Sequence, residues 1–99
     1  MDISKTLRAL QDDVDRLADE LAAARRTLNS AARAYDDRRR YAPSGTETTR
    51  AHTAWALALT EWAHTLIAHA AARDRLASER RNVDQAAADH FMTPTRRAR

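Results

Sequence analysis

Apolar residues in the first third of the chain alternate strictly at intervals of four and three. Ile3, Leu10, Leu17, Ala24 and Ala31 form one heptad line, and Leu7, Val14, Leu21, Leu28 and Tyr35 form the other. Strand faces repeat every two residues, so only an α-helix turns this spacing into a single seam, and a seam sustained over several heptads marks a coiled coil. The pattern predicts a first helix over about residues 4–41, started by Asp2 or Ser4.

The densest apolar spacing lies in His52–His69, HTAWALALTEWAHTLIAH, which holds both tryptophans and three of the four histidines. His52, Trp55, Leu59, Trp62, Leu66 and His69 form one helical stripe, and alanine, the least costly helix residue, fills the gaps. Each indole can bury about 150–250 Å² and so requires a partner surface. A second helix is predicted over about residues 47–90.

Between the helices stands Ala42-Pro43-Ser44-Gly45, and the turn is placed at 42–46. Proline disfavours helix in the residue before it, and glycine permits a positive φ. Ser44 followed by Glu47 has the spacing of a capping box opening the second helix. Thr93-Pro94 is expected to end that helix, leaving residues 93–99 as a basic flexible tail with Arg96, Arg97 and Arg99.

Two long helices joined by a short turn lie antiparallel. With the turn centred near residue 44, positions whose numbers sum to about 88 face each other. Trp55 and Trp62 then meet the small-residue levels around Ala23, Ala24, Ala31 and Ala32, large opposite small. The expected seam comprises Leu7, Val14, Leu21, Leu28, Trp55, Leu59, Trp62, Leu66, Leu76 and Val83. One helical hairpin over residues 1–92 follows, all-α, a coiled coil in miniature.

Composition agrees. One Gly, two Pro and twenty-three Ala leave little material for turns, and sparse β-branched and aromatic residues argue against sheet. With no cysteine there is no disulfide and no thiolate metal site, as suits a cytoplasmic protein. No apolar run approaches the roughly 20 residues that cross a bilayer, so no membrane role is expected. MDISKTLRALQDD lacks the apolar core of a signal peptide.

The formal charge of +3 is unevenly spread. Residues 1–24 hold six acids and three bases, residues 25–41 six Arg and two Asp, and residues 42–99 eight Arg and six acids. In the antiparallel register the acidic start of the first helix lies beside Arg73, Arg75, Arg80 and Arg81. Each exposed pair contributes only about 0–1 kcal/mol, but together they favour this register.

The second helix has more apolar surface than one partner covers. Ala56, Ala63, Ala70 and Ala77 recur every seven residues beside the Trp stripe, with Leu57 and Ile67 further round. Ala56, Leu57, Ala63, Ile67 and Ala70 are therefore read as an oligomer face, most simply one that closes two hairpins into a four-helix-bundle homodimer.

Candidate chemistry is thin. Glu61-Trp62-Ala63-His64 has the Glu-x-x-His spacing of carboxylate-bridged metal bundles, but Ala24, Arg25, Arg26 and Thr27 are expected opposite it, and Arg repels a cation. His52, His69 and His90 lie near the seam line, where a histidine tunes register or senses pH. No nucleophile, base and carboxylate are spaced as a triad, and there is no glycine-rich phosphate loop. No enzyme activity, no cofactor and no metal are expected. At the hairpin tip, Arg38, Arg39, Arg40 and Tyr41 could meet a nucleic-acid backbone, with Arg neutralising phosphate and Tyr stacking on a base, while Asp36 and Asp37 dilute that field.

In length, turn position and two-helix plan the chain resembles the WXG100 family, helical hairpins exported as dimers by type VII secretion. Where that family carries W-x-G in the turn, this chain reads Tyr41-Ala42-Pro43-Ser44-Gly45, and no Tyr follows Tyr41 to supply the family's C-terminal Y-x-x-x-D/E. The resemblance implies a dimeric hairpin, and secretion is not carried over. The stretch from Leu7-Arg8 through Val14-Asp15 to Arg25 is similar to the first helix of the helical chorismate mutases, without their spacing of Arg, Asp and Lys. The expected function is a non-enzymatic interaction or adaptor protein that binds itself or another helical protein. A nucleic-acid-binding hairpin dimer and a WXG100-like secretion-associated hairpin are the alternatives.

Overall fold

The computed structural model describes the backbone of residues 3–97 and the side chains as far as residue 91. Helix α1 spans Ile3–Tyr41 and helix α2 spans Thr46–Arg97. At 1.5 Å per residue these are about 58 and 78 Å long. They lie antiparallel, packed along the whole of α1. The fold is an all-α helical hairpin.

The register follows the sum of 88. Arg75 reaches Asp13 across the seam at 3.5 Å, and the neighbouring Arg80 donates to Gln11 at 3.1 Å. Residues of α2 beyond about 85 therefore have no part of α1 opposite them. Phe91, in that overhang, is 78% exposed.

Helix α2 does not stop at His90. It continues through Thr93-Pro94 to Arg97. A proline in a helix removes one hydrogen bond and crowds the carbonyl four residues back, which kinks or ends some helices, but here the helical path carries on past it. The tail expected at 93–99 thus belongs to α2 as far as Arg97, and residues 98 and 99 lie outside the described residues.

The tip is closed differently from expectation. The Gly45 N–H donates to the Ala42 carbonyl at 3.2 Å, a β-turn with Pro43 second, and the Thr48 and Thr49 N–H groups both bond the Gly45 carbonyl. The capping box does not form. Glu47 turns back to pair with Arg38, and Thr48 does the capping from the other side. Thr48 is buried, and its hydroxyl donates to the Ala42 and Arg38 carbonyls at the end of α1, beside the Gly45 and Ala42 N–H groups that those carbonyls also accept.

Gly45 has no positive φ. A Cβ built on it would meet the Ala42 carbonyl oxygen at 3.6 Å, an ordinary contact. Gly45→Ala is therefore expected to stabilise the hairpin by about 0.4–1 kcal/mol, by narrowing the unfolded ensemble. A lower melting temperature on thermal denaturation would show that the turn needs glycine.

Candidate interaction surface

The seam residues of α1 lie where the heptads place them. Leu17 is buried, and Leu7, Leu10, Val14, Leu21, Ala24, Leu28, Ala31 and Tyr35 are half-buried. On α2 one heptad line is Thr48, Trp55, Trp62, His69, Leu76 and Val83. The other is Ala51, Ala58, Thr65, Ala72 and Glu79. Leu76 is 5% exposed, Ala58 6% and Ala72 1%, while Trp55, Trp62 and Val83 are half-buried.

Leu59 and Leu66, both expected in the seam, are outside it, at 38% and 41% exposure. The helix is turned so that Ala58 and Thr65 face α1 instead. The reason lies one and two heptads further on. The line through Leu59 and Leu66 continues to Arg73 and Arg80, and centring it would bury two guanidinium groups, whereas the line through Ala58 and Thr65 continues to Ala72 and Glu79. His52, on the same outer line, is exposed as well.

This rotation builds the surface. Leu59 and Leu66 lie next to Ala56, Ala63 and Ala70, and Ile67, 66% exposed, borders them. The result is a continuous apolar strip along the middle of α2, on one broad side of the hairpin. Leu57 does not join it. It is 63% exposed, but at about 100° per residue it points about 80° from Ile67 and further from Ala63.

At the tip end the seam holds an aromatic cluster that single-helix periodicity did not reveal. The Tyr35 ring stacks on Trp55 at 5.9 Å and meets His52 edge-on at 5.0 Å, and Arg39 lies over Tyr35 at 5.8 Å. The signal was available, since 35 with 52 and 35 with 55 both fall near the register sum.

The Arg-rich tip is largely engaged within the chain. Arg38 pairs with Glu47, and Arg39 and Arg40 pair with Asp36 at 3.1 and 3.2 Å. Tyr41 is 81% exposed. On α1, Arg16 bridges Asp13 and Glu20, and Asp13 also meets Arg75. The Arg16 hydrogen bond, with Arg75 adding, holds the Asp13 carboxyl below its usual range. Such a group stabilises the fold above its ordinary titration range, and the contribution is lost as pH falls through the lowered value.

Glu61 and His64 face a shallow groove with Glu20, Ala23, Ala24, Thr27 and Thr65. A carboxylate, Glu20, thus stands at this level where none was expected, and it is bonded to Arg16 at 2.9 Å. Among the described residues no three His, Asp or Glu side chains are gathered closely enough to hold a metal. Nor is any helix among them long and apolar enough to cross a membrane.

Comparison with known protein families, with curated proteins and with solved structures finds no match.

Proposed function

We propose that this chain is a non-enzymatic interaction module, a helical hairpin that acts by packing its exposed apolar strip against helices of a second copy or of another helical protein. The observation that carries this reading is the strip itself. Leu59, Leu66 and Ile67 are large apolar side chains left on one side of a hairpin whose own seam is already complete. Water-exposed side chains of this size in one continuous row favour association, roughly in proportion to the apolar area that a partner removes from water.

The test is molar mass by light scattering at low and high salt, with absorbance read at 260 and 280 nm, on the native chain and on a Leu59→Glu/Leu66→Glu variant. A helical protein that associates, or that holds a helical partner, only while the two leucines are present supports the reading. Association unaffected by the two glutamates overturns it. A 260 nm signal that salt removes overturns it in favour of nucleic acid held by the basic groups, because phosphate contacts weaken steeply as salt rises.

A further inference from the structure

Resting on that reading, we infer that the occupant of the strip is an acidic amphipathic helix of another protein, which sets two apolar side chains against Leu59 and Leu66 and carboxylates against Arg25 and Arg73.

One hydrogen bond fixes what stands beside the strip. Arg80 of α2 donates to Gln11 of α1 at 3.1 Å. Leu59, Leu66, Arg73 and Arg80 are one heptad line of α2, and Gln11, Ala18, Arg25 and Ala32 are one heptad line of α1. The helices are antiparallel, so each heptad gained along α1 is a heptad lost along α2. Ala18 therefore lies beside Arg73, Arg25 beside Leu66 and Ala32 beside Leu59. The broad side that carries the strip passes from apolar near the tip to cationic toward the open end.

That positive charge is not used within the chain. Arg25 and Arg73 are exposed, and among the described residues neither makes a hydrogen bond or an ion pair. The nearby carboxylates of the same side are engaged. Asp15 accepts from Gln11 at 2.9 Å, and Asp36 pairs with Arg39 and Arg40. Asp84 stands eleven residues beyond Arg73. Between Arg73 and Arg80 the side opens into a shallow notch of about 440 Å³, floored by Val14, Leu76, Ala70 and Ala77. Asp74 lies at its outer rim, on the heptad line of Ile67. An apolar floor flanked by two guanidinium groups receives the methylene stem of a Glu side chain and grips its carboxylate.

The spacing describes the partner. Leu59, Leu66 and Arg73 follow one another at seven residues, about 10.5 Å. A helix laid along them needs apolar, apolar and acidic residues at the same interval, with a further acid beside the middle one for Arg25. Opposite charges fix that register, and like charges turn basic helices away. Two other occupants fit less well. A second copy brings the same two arginines, and laid antiparallel about Leu66 it sets Leu59 against Arg73 of the copy. A nucleic-acid backbone satisfies the arginines and leaves Leu59 and Leu66 in water.

Two labelled helical peptides of about three heptads test this, both with Leu at the seam positions, one with Glu and the other with Lys at the flanking positions. In fluorescence anisotropy at low salt the native chain is expected to bind the Glu peptide at least about tenfold more tightly than the Lys peptide. Arg25→Glu/Arg73→Glu is expected to invert the preference. Arg26→Glu/Arg33→Glu makes the same change of net charge on the edge of α1 that points away from α2, and is expected to leave the preference in place. All four arginines are exposed, and far-UV circular dichroism checks that both variants stay helical. Equal binding of the two peptides, or an inversion produced as well by the Arg26 and Arg33 substitutions, overturns the acidic helix and leaves the interaction module standing. A native chain that binds neither peptide overturns it too, and the Leu59→Glu/Leu66→Glu comparison then reads whether the strip serves a second copy instead. Binding of the Glu peptide that survives Leu59→Gln/Leu66→Gln overturns the strip itself.

Discussion

Trp62→Ala is expected to lower the melting temperature of the hairpin by about 8–24 °C. The residue sits in the middle of the α2 seam, half-buried, between Ala58 and Thr65. Truncating a buried Trp costs about 3–5 kcal/mol, and partial exposure brings the figure here to about 2–3 kcal/mol. In a domain of this size each kcal/mol moves the midpoint by about 4–8 °C. The loss weighs heavily because the core is thin. Leu17, Ala58, Ala72 and Leu76 are the buried apolar residues among those described, and two of these are alanines. The indoles supply the volume that the small residues do not. Thermal denaturation followed at 222 nm reads the effect. A shift of less than about 3 °C would mean that the ring rests on the surface and contributes little to the seam.

The second large effect is expected at the most buried side chain, Ala72, which is 1% exposed. The register sets it against α1 between Val14 and Leu17. Ala72→Asp places a carboxylate in that apolar contact with no designed partner, at a cost of about 3–5 kcal/mol, and the hairpin is expected not to fold at neutral pH. Ala71→Asp is the matched control. Ala71 is exposed, so the same substitution one residue earlier costs only the helix propensity of Asp, at most about 0.7 kcal/mol. Far-UV circular dichroism at pH 7 separates them. Equal behaviour of the two variants would mean that α2 is turned differently about its axis.

That rotation marks the boundary between what was legible in the sequence and what was not. On α1 the apolar stripe is narrow and both heptad lines carry no charged residue, so only one side can face a partner. On α2 the Trp55–Trp62 line has apolar neighbours on both sides, Ala58 and Thr65 on one and Leu59 and Leu66 on the other. Hydrophobicity alone favours the leucines. The structure chooses the alanine side, because the leucine line runs on into Arg73 and Arg80 and because small residues let α1 come close to the indoles. Following each line for two more heptads would have shown this, and it is also what leaves Leu59 and Leu66 on the surface as a candidate site.

The turn makes the same point on a smaller scale. Pro43 and Gly45 mark where the chain reverses, and the break was readable to within a residue or two. Which groups close it was not. Ser44 and Glu47 have capping-box spacing, but once the helices lie antiparallel Arg38 is within reach of Glu47, and an interhelical ion pair takes the carboxylate. Thr48, unremarkable in sequence, is the side chain that the incoming α1 carbonyls find.

Sequence by itself determined that this chain is two helices, that they lie antiparallel, and which residue numbers face each other, because heptad spacing and a single short break admit no other arrangement. Only the tertiary structure decided which side of α2 faces inward, that α2 runs past Pro94 and beyond the start of α1, and so where apolar surface is left uncovered. Those outcomes depend on the competition between burying leucine and keeping arginine in water, and that competition is settled only when a second helix occupies one side.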